Sequence, residues 1–326
     1  MSRIIVPPLR VAALPFASFC ASADGRSNGL QYGVIAERLA DAARDGVGLA
    51  VFPEMSLCGV ASMERLRRSE LEALSEPADG LSIGAVAQAA EVTGVAAGVG
   101  WLERARDGAL YNSYVVCMPD GTRHVHRKVY TMGSAHLRSG ECFDVFDTPW
   151  GITMSILIGA DNYLPENARV AALKGATLLV APHRSGLGTG VGAGASPCPD
   201  WFAHALPARA GENGMFVVLS DAQAEPKGQW GPGVALIADP GGAVIAESKA
   251  PHCPVATAVI DPKLARQSIA RHWLAARRPE LYASLIAPES EVRGDARPWA
   301  VPQREASARG SVAVSFAIVR RRRPLR

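Results

Sequence analysis

Short apolar runs of strand length alternate along this chain with amphipathic segments of helix length, and the alternation occurs twice. In the first half, residues 9–14 (Leu-Arg-Val-Ala-Ala-Leu) read as a strand, and residues 30–44 as a helix turning Val34, Leu39 and Ala42-Ala43 inward. Residues 47–52 are a second buried strand that stops at Pro53, and residues 82–92 an Ala-rich helix. Residues 95–102 and 111–118 form a hairpin around Arg106-Asp107-Gly108. The second half repeats the idiom: strand 152–158, helix 165–175, strand 177–181, helix 201–211 and strand 215–220. A hairpin over 234–245 then turns at Asp239-Pro240-Gly241-Gly242. Strands this apolar need cover on both faces, which restricts the chain to an α/β or α-β-β-α layered fold.

No linker composition separates the two halves, so residues 1–285 read as one domain. Residues 286–326 read as an arm: a Pro-, Glu- and Arg-rich stretch to 310, a late strand over 311–319, and the basic tail Arg320 to Arg326. An arm ending in a strand is poorly satisfied alone and commonly adds to a partner subunit, so a homo-oligomer, dimer or higher, is expected. The glycine-rich stretch 186–194 is expected to be a mobile loop. A net charge of +3 with charged residues at 20% gives no reason to expect a nucleic-acid partner. No apolar run reaches membrane-span length and no signal peptide opens the chain, so a cytoplasmic protein without a membrane partner is expected. The six cysteines are scattered, with no CxxC pair and no metal-type spacing to histidine, so neither a metal nor a disulfide framework is expected. Gly186-Leu187-Gly188-Thr189-Gly190 does not open a helix after a strand, which argues against dinucleotide binding, and no organic cofactor is expected.

Five motifs then occur in order. They are Phe52-Pro53-Glu54-Met55-Ser56-Leu57-Cys58-Gly59; Tyr111-Asn112-Ser113 followed by His126-Arg127-Lys128; and Gly159-Ala160-Asp161-Asn162-Tyr163-Leu164-Pro165-Glu166 running on to Arg169. Ala208-Arg209-Ala210-Gly211-Glu212-Asn213-Gly214 and Arg277-Arg278-Pro279-Glu280-Leu281-Tyr282 complete the series. Together they resemble the nitrilase superfamily of carbon–nitrogen hydrolases, in its nitrilase/amidase-like branch, over residues 9 to 285. The resemblance implies an α-β-β-α layered sandwich, dimerisation through a helix face, and a small amide, nitrile or carbamoyl compound as partner. It also implies Glu54 as general base, Lys128 as the cation beside the forming oxyanion, and a cysteine nucleophile at the position held here by Gly159. Asp161, Asn162 and Tyr163 after that position, and His183 in Pro182-His183-Arg184, are the candidates to contact substrate.

The chemistry sets what each residue must do. A thiolate attacking a nitrile or amide carbon needs a base to take its proton and return it to the leaving nitrogen. A carboxylate on a turn after a buried strand is expected to have a raised pKa suited to that task. Glycine supplies no nucleophile, and losing one typically costs several orders of magnitude in rate. The stretch from Lys128 to Gly140, where the family usually carries a second glutamate, also contains no carboxylate. Three readings follow: a homologue inactive or strongly altered in thiol chemistry, an enzyme using Glu54 and Lys128 to activate water, or an active amidase or nitrilase silenced by a deliberate exchange. Ser155, Cys58, Cys142, Cys198 and His136 are the nearest candidates for a substitute; packing or loop roles fit each of them better.

Overall fold

The computed structural model describes residues 8–16, 28–58, 66–131, 135–184, 201–222, 233–248 and 255–287. The chain divides into two compact units, Met1–Val292 and Arg293–Arg326, and every described residue belongs to the first. The glycine-rich stretch 186–194, the late strand 311–319 and the basic tail lie outside the described residues.

The first sheet contains β1 (Leu9–Ala13), β2 (Leu49–Val51), β3 (Ala96–Arg104), β4 (Leu110–Cys117), β5 (Arg123–Arg127) and β12 (Ala256–Ile260), in the order β12-β1-β2-β3-β4-β5. The second contains β6 (Val145–Asp147), β7 (Thr153–Ile156), β8 (Leu178–His183), β9 (Phe216–Asp221), β10 (Ala235–Ala238) and β11 (Val244–Ser248), in the order β11-β10-β9-β8-β7-β6. Each sheet has a parallel centre, β1-β2-β3 in one and β7-β8-β9 in the other, flanked by antiparallel strands.

Strand periodicity explains the layering. On β8, Leu178 and Val180 join Val11, Val51, Tyr114 and Ile156 in the core between the sheets. The alternate residues Leu179 and Ala181 face outward and pack with Ala168, Ala171, Leu206 and Ala210 from α4 (Pro165–Leu173) and α5 (Trp201–Asn213). On the other side, Ala50, Ala97 and Val99 meet Ile35 and Leu39 of α1 (Asn28–Arg44) and Ile83, Val86 and Ala90 of α3 (Leu81–Thr93). The result is the expected α-β-β-α sandwich, in which each fully buried large side chain contributes about 1.5–3 kcal/mol.

The structure corrects the sequence reading in detail. On α1 the fully buried positions are Gln31, Ile35 and Leu39, whereas Val34 is only partly covered. Elements that the periodicity left unmarked include α2 (Arg68–Leu74), β12, α6 (Pro262–Gln267) and α7 (Ile269–Ala275). Among the described residues no helix is long and apolar enough to cross a membrane.

Candidate active site

Glu54 lies on the turn that leaves β2. Strand β3 serves as its template: the Gly100 N–H donates to Ser56 Oγ (3.0 Å), and the Leu57 N–H donates to the Gly100 carbonyl (2.8 Å). The turn lies so close to β3 that a Cβ on Gly100 would collide with the Met55 nitrogen and meet the Glu54 backbone at 3.1–3.2 Å. Met55 itself has a positive φ of 57°, a conformation unfavourable for a side-chain-bearing residue. Lys128 lies just past β5. Its N–H donates to the Asn112 carbonyl and its own carbonyl accepts from Gly140 N–H, both at 2.8 Å. Next to it, the Arg127 guanidinium forms a two-point pair with buried Glu103 at 2.6 and 2.9 Å.

These two turns bring the acid and the cation into contact. Lys128 Nζ donates to Glu54 Oε1 at 2.7 Å, and Asn112 Nδ2 donates to the same oxygen at 2.6 Å. The pair is nearly closed off, with side chains 11% and 5% exposed for Lys128 and Glu54. Burial of the Glu54 carboxyl works to raise its pKa. The positive charges of Lys128 and Arg184 and the two side-chain hydrogen bonds outweigh it and hold the group below its ordinary value. The raised pKa expected from the sequence is therefore not found. Burial is present, but the fold surrounds the carboxylate with cations and donors that no local pattern reveals.

The third element arrives from the second sheet. After β7 the chain passes into a single 3₁₀ turn, Gly159–Asn162, and then into α4, which begins with Pro165 in its first turn and Glu166 beside it. Gly159 is buried with φ +48°, the left-handed region that favours glycine. A Cβ built on it would lie 2.5 Å from Glu54 Oε2 and 2.9 Å from Lys128 Nζ. The turn thus points position 159 at the acid–cation pair, and the Glu54 carboxylate occupies the space next to it.

Asp161, fully buried, joins this turn to the Lys128 turn. Its Oδ1 accepts from the N–H groups of Val129 (3.1 Å) and Tyr130 (2.9 Å), and Oδ2 from Ile158 N–H (3.1 Å), with His126 Nε2 at 3.3 Å. Asn162 Nδ2 contacts the carbonyls of Leu157 (2.7 Å) and Gly159 (3.3 Å), and His183 Nε2 at 3.0 Å. Donation from this amide makes Nε2 of His183 the acceptor and leaves its proton on Nδ1. Burial pushes the His183 pKa down to about 3; the Glu54 charge opposes this and the Lys128 charge adds to it. His183 is therefore a neutral ring at the end of β8. Tyr163 faces outward, 42% exposed, with its ring 4.9 Å from that of Trp201 and 5.0 Å from that of Phe202.

Of the possible substitutes for a nucleophile, Cys58 is buried, accepts from Leu102 N–H at 2.9 Å, and has its thiol pKa pushed up to about 12 by burial. It is a packing thiol rather than a thiolate. Ser155 donates to the Asp144 carbonyl (2.9 Å), Cys142 is exposed and bonded to Asp144, and His136 is exposed. Cys198 lies outside the described residues. Asn112, Arg184, Trp201 and Phe202 were not anticipated as site residues. Asn112 left a signal, being an amide in a fully buried strand, where a polar group needs a partner. Among the described residues no group of three or more His, Cys, Asp or Glu side chains could hold a metal ion.

Known proteins resemble the chain in sequence and in fold. Residues 27–270 match the carbon-nitrogen hydrolase family profile. The chain is 29% identical over 229 residues to a nitrilase from Pyrococcus abyssi, spanning 69% of this chain and 81% of that one. It is 31% identical over 245 residues to the hydrolase in the pqqF 5' region of Pseudomonas protegens, spanning 73% and 80%. Among solved structures, an amidase of the nitrilase superfamily from Nesterenkonia sp. AN1 superposes with a TM-score of 0.65 at 20% identity, over 86% of this chain and 99% of that one. Saccharomyces cerevisiae Nit3 does so with a TM-score of 0.67 at 19% identity, over 89% and 99%.

Proposed function

The chain belongs to the carbon–nitrogen hydrolase family, and on that premise we propose that it binds a small C–N compound, an amide foremost, at the Glu54–Lys128 pair without covalent thiol catalysis. The observation that carries the reading is the position of Gly159. It ends the strand-to-turn passage of the second sheet with its missing side chain aimed between Glu54 Oε2 and Lys128 Nζ, where a nucleophile would have both its base and its cation. The similarity to a nitrilase and to amidases supports the choice of ligand class. Lys128 and Asn112 would hold the carboxylate as they do here, and the carbonyl of a bound amide would turn to Lys128. In this reading Asp161 serves the site through the backbone it gathers and not through the substrate, because its oxygens are already engaged by protein donors.

A second reading rests on a separate observation. Among the described residues both hydrogen bonds to the Glu54 carboxylate fall on Oε1, which leaves Oε2, turned towards Gly159, as the oxygen that a water would meet. A water held there could lose a proton to Oε2 and attack the amide carbon directly. Ammonia would leave with a proton passed back from Glu54. The lowered pKa makes Glu54 a weak base for that step, so turnover by this route is slow.

Ammonia release from a panel of amides, nitriles and carbamoyl compounds tests both readings on the chain as it stands, on Gly159→Cys and on Glu54→Gln. The first reading expects silence from the chain as it stands and turnover from Gly159→Cys. Turnover by the unaltered chain that Glu54→Gln abolishes would replace it with the water route. Silence from all three would remove hydrolysis altogether.

A further inference from the structure

Four rings lead away from the charged pair towards the surface. His183 contacts Asn162 at the Gly159 turn and is within electrostatic reach of both Glu54 and Lys128. Its ring lies 3.8 Å, centroid to centroid, from that of Phe202. Trp201 is 4.9 Å from Phe202, and Tyr163 closes the group at 4.9 Å from Trp201 and 5.0 Å from Phe202. The gradient of cover matters. His183 is buried, Phe202 is partly buried against the core of the second sheet, and Tyr163 is more than two-fifths exposed. Trp201 is also partly exposed and is not among the side chains packed against that core.

Packing alone gives a poor account of this arrangement. Tyr163 and Trp201 add little to the core and hold each other and Phe202 in tilted and edge-on contacts, the geometry in which aromatic rings attract one another. They come from separate elements, the turn after Gly159 and the start of α5, so two independent stretches of backbone bring aromatic rings onto Phe202, the neighbour of His183. His183 is neutral and therefore extends the apolar wall inward instead of adding a third cation.

We infer that Tyr163, Trp201, Phe202 and His183 form a subsite for an aryl group, so that the ligand is an aryl or arylalkyl carboxamide with its amide at Glu54 and Lys128. The inference rests on the reading of that pair as an amide site and adds to it the nature of the other end of the molecule. A flat ring can stack with Tyr163 and Trp201, whereas an aliphatic chain of equal size gains only its transfer from water. The difference is about tenfold in affinity.

Calorimetric titration of the intact chain with acetamide, hexanamide and phenylacetamide tests it, alongside Trp201→Leu, Tyr163→Leu and Glu54→Gln. Thermal melts confirm that each variant is folded. The expected order has phenylacetamide binding about tenfold more tightly than hexanamide. That gap should close in Trp201→Leu and Tyr163→Leu, and Glu54→Gln should weaken all three amides together. If the amides bind but phenylacetamide gains nothing over hexanamide, the aryl subsite is overturned and the amide site stands. A preference that survives both leucine variants overturns it as well. If no amide binds the unaltered chain, the amide site falls and takes the subsite with it.

Discussion

His183 shows how far one side chain can be moved from its solution behaviour. The ring is buried, accepts from Asn162, and has its pKa pushed from 6.5 to about 3. The unfolded chain therefore takes up a proton that the folded chain refuses, and the sign follows from this. Stability is complete above pH 6.5 and falls with acidification from there towards pH 3, by at most about 1.4 kcal/mol per pH unit. Glu54 adds its own loss at lower pH, once the solution drops below its ordinary 4.5, because its carboxyl is held down in the folded state. Between these values His183 acts without Glu54. Unfolding free energies from urea titration at pH 6.5 and pH 5 should thus differ by about 1.6 kcal/mol in the unaltered chain, and by clearly less in His183→Gln. Equal losses in the two proteins would assign the acid sensitivity elsewhere. The sequence could place His183 near the cleft, since Pro182-His183-Arg184 ends an apolar run. It could not reveal the pKa, which depends on burial first and then on Glu54 and Lys128 arriving from distant parts of the chain.

At the scale of elements, the two site turns are held by neighbouring backbone rather than by their own sequence. Gly100, in the middle of β3, supports the Glu54 turn through its N–H and its carbonyl and leaves no room for a Cβ against Met55. Gly100→Ala must push the turn off the strand, and we expect a loss of about 2–4 kcal/mol together with loss of amide binding. An alanine variant with an unchanged melting temperature would show that the contact relaxes without cost. Strand and helix existence was largely legible here because the central strands are apolar and end in Pro or Gly. The phase of α1 was misread because Val34 and Ile35 are adjacent and similarly apolar, so the pattern does not distinguish which one faces the sheet. Strand β12 is short, and its alternation is interrupted by partly exposed Thr257 and Ala258, which leaves little periodic signal.

At the scale of the molecule, the four layers were readable as a class, because alternating apolar strands and amphipathic helices have few other ways to bury both faces of two sheets. The distance between the layers was not readable, and the site depends on it: Glu54 and Lys128 belong to one sheet, Gly159 and His183 to the other. Self-association, expected from the sequence, is a prediction at this scale too. Ile269 and Trp273, one turn apart on α7, are 69% and 66% exposed. Side chains of this size on one helix face are commonly covered by another subunit. Sedimentation equilibrium should give at least twice the 34.3 kDa mass of the chain, and a monomer at micromolar concentration would refute this.

The contacts of Asp161 carry a last consequence. Its carboxylate fastens the turn at residue 159 to the turn at residue 128 through backbone N–H groups, with His126 as a side-chain contact. None of these bonds involves the side chain at residue 159. The turn is consequently held in place without a side chain at that position, although its φ of +48° favours glycine and any side chain introduced there would be strained. A newcomer would also have to displace the carboxyl of Glu54 and the far end of Lys128. The frame that presents position 159 to the charged pair is thus maintained by a carboxylate that takes no part in whatever chemistry the position carries.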